Sequence, residues 1–138
     1  MREGYYYIAS PYSHADAEVV QQRFEAAVKA SGRLMQANLI VFSPIAHSHP
    51  IALASMLPGD FGYWERGCKV FVAQSIGIVV LKLAGWRESR GVTAEIAIAK
   101  KLGLPVFYMP ANELGNLEDE HVPYLLDEMR QEQEGKNV

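Results

Sequence analysis

IVVLKLAGWRESRGVTAEIAIAKKLGLPV, residues 78–106, reads as four consecutive pieces: a buried strand, a glycine-bounded polar loop, a helix and the next strand. The opening IVVLKL is nearly all apolar and β-branched. That is the mark of a parallel strand covered on both faces, since a strand with one wet face would alternate. Its loop therefore opens at the carboxyl end of a central strand, where open α/β sheets place their ligands. Gly85 and Gly91 bracket the polar segment and permit backbone angles or close approaches that a side chain would block. Ser89 is positioned to N-cap the helix that follows. Val92, Ile96, Ala99 and Leu102 recur at helical spacing and mark its sheet-facing side.

Glu95 breaks that pattern, projecting beside the apolar stripe about one turn into the helix. An acid there can simply oppose the helix dipole, an effect of about 0.3–1 kcal/mol. Position i+4, however, is Ala99 rather than a lysine or arginine, so no ion pair along the helix explains it. A carboxylate at the lip of a pocket is a candidate nucleophile or general base.

Working outward, residues 5–9 (YYYIA) read as the first strand, ended by Ser10-Pro11-Tyr12-Ser13. A helix from Asp16 to about Gln36 follows and is closed by Asn38. Residues 39–42 (LIVF) then form a second buried strand. Residues 45–62 carry Pro50, Pro58 and Gly59 and read as a loop with a short helix at about residues 51–56, an excursion of the kind used for lids and binding loops. A helix over about residues 63–74 leads into the central strand, and residues 105–109 make a fourth strand stopped at Pro110. Residues 119–138 read as a short helix over about 122–131 and a polar tail. Strands alternating with helices predict one domain over residues 1–138, a three-layer α/β/α sandwich with a four- or five-stranded parallel sheet.

Composition narrows the function classes. The chain is 49% hydrophobic and 21% charged, as ordinary globular domains are. A formal charge of −3 without clustered Lys and Arg argues against a nucleic-acid polymer as partner, while leaving room for a nucleotide-sized ligand. One cysteine, Cys68, excludes an intrachain disulfide. MREGYYYIAS does not read as a secretory signal, and no run approaches the ~18 apolar residues of a membrane span. Cytoplasmic localisation and no membrane partner are expected. Neither Rossmann nor P-loop glycine spacing occurs, and no cofactor is predicted.

Several side chains have two readings. Ser10, Pro11, Tyr12 and Ser13 lie between a strand and a helix, where hydroxyls and free N–H groups can hold a phosphate or sugar hydroxyl; a simple turn and cap fits them equally. His47 and His49 would face opposite ways if extended. Without a neighbouring acid or cysteine at ligand spacing they suit a substrate-contacting lid better than a metal site, and no metal is predicted. Trp86 either stacks on a base or covers the sheet edge. Cys68 reads as a small buried hydrophobe.

The segments ASPYSHAD (residues 9–16), FSPIAHSHP (42–50), LAGWRESRGVTAE (83–95) and GLPV (103–106) resemble a small family within the nucleoside 2-deoxyribosyltransferase-like superfamily, over about residues 7–109. The resemblance implies a flavodoxin-like sheet, assembly into dimers or tetramers, and Glu95 as a nucleophile. The glutamate would attack the anomeric carbon of a nucleoside or nucleoside 5′-monophosphate and form a glycosyl-enzyme ester, resolved by water or by a second base. Tyr7 would orient Glu95, Ser89 and Gly91 would line the sugar and base site, and Ser10 and Tyr12 the other lip. Cys68 and Ser89 stand where the superfamily commonly places aspartates that assist the leaving base. The alternative expectation is a non-catalytic module that binds a nucleotide or sugar nucleotide and has lost its general acid.

Overall fold

The computed structural model describes residues 3–112 and 115–136. Among these, four parallel strands, β1 (Tyr6–Ala9), β2 (Val41–Phe42), β3 (Gly77–Lys82) and β4 (Val106–Pro110), form one sheet in the order β2-β1-β3-β4. Five helices surround it: α1 (Ala17–Gln36), α2 (Pro44–Ser55), α3 (Phe61–Ala73), α4 (Arg90–Lys101) and α5 (Val122–Lys136). The result is a flavodoxin-like three-layer α/β/α sandwich. The period of two along the central strands sorts their side chains between the layers. Tyr6, Ile8, Val79 and Leu81 pack with Ala26, Ala30 and Leu34 of α1 and with Val122, Leu125 and Met129 of α5. Tyr7, Ala9, Ile78 and Val80 pack with Val72 of α3 and Val92 and Ala99 of α4. With β1 and β3 sealed on both faces, each fully buried Ile, Leu or Val there stabilises the fold by about 1.5–3 kcal/mol.

Four local expectations change. The second strand, at the sheet edge, is shorter than residues 39–42, because Asn38 takes a left-handed turn (φ 65°) and the Leu39 amide still bonds back to Leu34. Ile40 is consequently exposed. Residues 44–55 are helical rather than mostly loop. The Ser43 hydroxyl accepts from the Ala46 amide, and Pro44 occupies the first turn, where no N–H donor is needed. His47 and His49 are thus on a helix, the first exposed and the second buried, and are not extended. On α4 the buried positions are Val92, Glu95 and Ala99, so Glu95 is part of the stripe, while Leu102 caps the helix end and is exposed. Finally, α5 extends well beyond residue 131. Among the described residues no helix is long and apolar enough to cross a membrane.

Candidate functional site

From β1 the chain turns into α1 on one face of the sheet, and from the adjacent β3 it turns into α4 on the other. The two loops diverge and leave a crevice at the strands' carboxyl ends, the position that strand order dictates for a ligand. A cavity of about 640 Å³ lies there, within the range of small-molecule sites. Much of its wall is aromatic: Tyr12, Phe42, Phe61, Trp64 and Phe71 all contribute, and Phe42 stacks on Phe71 with ring centroids 4.5 Å apart.

Glu95 reaches this cavity from the buried side of α4 and is only 4% exposed. The hydroxyl of Tyr7, itself sealed under the sheet's α4 side, donates to Glu95 Oε2. Burial pushes the Glu95 carboxyl up to about 8, against the opposing pull of hydrogen bonds from Tyr7 and Cys68. Burial, and then the neighbouring Glu95 charge, likewise drive the Tyr7 phenol well up and the Cys68 thiol to about 11. At neutral pH the group is an acid with two neutral donors around it, poised to stabilise the carboxylate once it forms. Cys68 is therefore a part-buried wall of the site rather than only a core filler.

The loop over residues 83–91 is held by its caps and glycines. The Ser89 hydroxyl accepts from the Val92 amide at 3.2 Å, capping α4 while also lining the cavity. Arg23 ties this loop to the one after β1, donating to the Ser13 carbonyl at 2.9 Å and the Ala84 carbonyl at 3.3 Å. Gly85 makes that tie possible: its φ is +88°, and a Cβ there would lie 2.8 Å from Arg23 Nη2. We expect Gly85→Ala to cost about 1–3 kcal/mol, read from the urea midpoint. An unchanged midpoint would mean that Arg23 does not pin the loops. Gly91 plays a milder part, since a Cβ would meet the Phe61 ring at 3.1 Å.

The remaining sequence candidates divide. Ser10 is buried at the cavity wall, and its hydroxyl has no partner among the described residues. Pro11 is buried and does not reach the wall, whereas Ser13 spends its hydroxyl on the Gly59 carbonyl at 2.5 Å. His47 lines the cavity from its exposed side, 5.6 Å from the Phe42 ring. Trp86 points elsewhere: it packs on Tyr108 of β4 at 5.7 Å with Arg87 over its ring, and covers the sheet rather than the cavity. Sequence reading missed the chain from Tyr12 to His49 (2.6 Å) to Gln21 (3.2 Å), as well as the aromatic wall from α3. Among the described residues no three His, Cys, Asp or Glu side chains converge as a metal-ligand set.

The profile of a domain of unknown function, DUF1937, matches residues 4–111. No curated protein matches the chain. The profile match takes in β1 through β4, the cavity, and Tyr7 together with Glu95. The chain belongs to the DUF1937 family.

Proposed function

We propose that the domain cleaves the N-glycosidic bond of a nucleoside or nucleoside 5′-monophosphate, by hydrolysis or by transfer of the sugar to a second base, with Glu95 as nucleophile. One observation carries the reading: a buried carboxyl, hydrogen-bonded by Tyr7, opens onto an aromatic-walled cavity at the carboxyl ends of β1 and β3. The Glu95 carboxylate attacks C1′, the C1′–N bond breaks with its electron pair going to the base, and an ester to the sugar forms. Water or another base then attacks C1′ and frees the carboxylate. The aromatic wall suits a planar base, and the resemblance to the deoxyribosyltransferase-like superfamily points the same way.

A second reading, a module that binds such a ligand without turning it over, draws on Cys68. A thiol titrating near 11 is a poor proton donor to a leaving base, and the Ser89 hydroxyl, which accepts from the Val92 amide, is a weaker acid still. Incubation with ribo- and deoxyribonucleosides and their monophosphates, with and without a second base, separates the two. Chromatography should show free or exchanged base. Intact substrates at high protein concentration would leave only binding.

Because the carboxylate is the reactive form, kcat/KM for a substrate whose base leaves without being protonated, such as an N7-methylated purine nucleoside, should rise with pH up to about 8 and then level. Tyr7→Phe removes a hydrogen bond that favours the carboxylate, so that limb should move to higher pH, with a loss of roughly tenfold in rate at pH 7. A profile with its limb unmoved would separate Tyr7 from the chemistry.

A further inference from the structure

We propose that Tyr12 and His49, backed by Gln21, form the proton relay that serves as the acid/base partner of Glu95, a role that rests on the glycosidic reading above. Neither Cys68 nor Ser89 is suited to that role, and the reaction needs a proton delivered to the base as it leaves. The geometry supplies a chain of four groups whose polarity is fixed from one end. Glu25 is a carboxylate and can only accept, so the Gln21 amide nitrogen faces it, at 3.3 Å from Oε1. Gln21 Oε1 then faces His49 Nε2 at 3.2 Å and can only accept from it. With the Nε2 proton so committed, Nδ1 of the neutral imidazole is an acceptor, and the Tyr12 hydroxyl donates to it at 2.6 Å. His49 is only 5% exposed, its ring held against Phe24 at a centroid distance of 4.4 Å, and burial keeps it below its ordinary range and so neutral. Tyr12, His49 and Glu95 all line the same cavity.

The protons balance through both halves of the cycle. In the resting site Glu95 carries a proton and His49 carries only that on Nε2. The reactive form has the same number, with the mobile proton on His49 Nδ1 and Glu95 ionised. As the carboxylate bonds to C1′ and the C1′–N bond breaks, the departing nitrogen takes the Tyr12 proton and Tyr12 takes the Nδ1 proton. In the second half water gives a proton to Tyr12, whose own proton passes to Nδ1. The water oxygen bonds to C1′ and the ester C–O bond breaks, releasing the carboxylate. The same pair acts first as acid and then as base, as one residue does in retaining glycosidases. Tyr12 touches the reacting atoms; His49 and Gln21 act through it as positioning residues.

The test compares purine nucleosides with their N7-methylated counterparts, whose cationic base departs without being protonated. Tyr12→Phe and His49→Gln are each expected to slow cleavage of the unmethylated nucleoside by about 10²–10³. Both should stay within about threefold of wild type for the first-turnover release of base from the methylated one. With that substrate, intact-mass spectra of Tyr12→Phe should also show the sugar ester accumulating, because the water step has lost its base. Equal losses on both substrates, or none on either, would overturn the relay while leaving Glu95 chemistry standing. If wild type spares both members of every pair, the relay and the glycosidic reading fall together.

Discussion

Glu95→Gln should yield a folded protein that holds a nucleoside and releases no base. The amide matches the carboxyl in size and can still accept from the Tyr7 hydroxyl through its oxygen, so the cavity wall keeps its shape. What it cannot do is form the ester to C1′. Losing the nucleophile removes the covalent route altogether, and the expected fall in kcat is on the order of 10⁴-fold or more. Ligand affinity, measured by calorimetry, should stay within about threefold, because the aromatic wall and the Ser10 hydroxyl are untouched. Intact-mass spectra of wild type quenched during turnover should show the mass of one sugar, and those of Glu95→Gln none. A variant retaining a tenth of the wild-type rate would exclude Glu95 as the nucleophile.

Why Glu95 could be singled out from sequence, and the residues proposed to work with it could not, follows from the range of the signals. A polar residue on an apolar helical stripe is a local anomaly, visible within residues 92–99, and burial of Val92, Glu95 and Ala99 on one face explains it. The β3 run is equally local, and a parallel core strand leaves little choice of fold once helices alternate with strands. By contrast, α2 has almost no period to read. Its residues PIAHSHPIALAS are apolar nearly all round and interrupted by Pro50, so the Ser43 cap and Pro44 were the only start signals. The β2 run looked like a core strand because apolar residues mark burial without distinguishing a centre from an edge; Ile40 faces solvent there. Tyr12 and His49 are 37 residues apart and meet only because α2 packs against α1 and the end of β1. Tyr7 lies 88 residues from Glu95, and only the resemblance leads one to expect that it orients the carboxyl. Trp86 had two readings that only the position of Tyr108 could separate.

The same buried carboxyl should make the fold lose stability as the medium turns alkaline, opposite to the behaviour of a salt-bridged acid. In the unfolded chain Glu95 titrates near 4.5, and in the folded protein near 8. Between those values the folded state holds a proton that the unfolded state has released, so the slope of unfolding free energy against pH is negative. The contribution is whole below about pH 4.5, declines through neutrality and is gone above about pH 8, a total of about 5 kcal/mol. His49, held below its ordinary range by burial, works in the other direction at the acid end, so wild-type midpoints alone would mix the two. The difference between wild type and Glu95→Gln in urea midpoint, measured at pH 5, 6.5 and 8.5, isolates the carboxyl. Wild type should weaken relative to the variant at each step, with the variant the more stable at pH 8.5. A difference that does not change with pH would mean that Glu95 ionises as freely in the fold as in water. The free energy that makes ionisation costly here also raises the basicity of the carboxylate once formed, which is the property the proposed attack on C1′ requires.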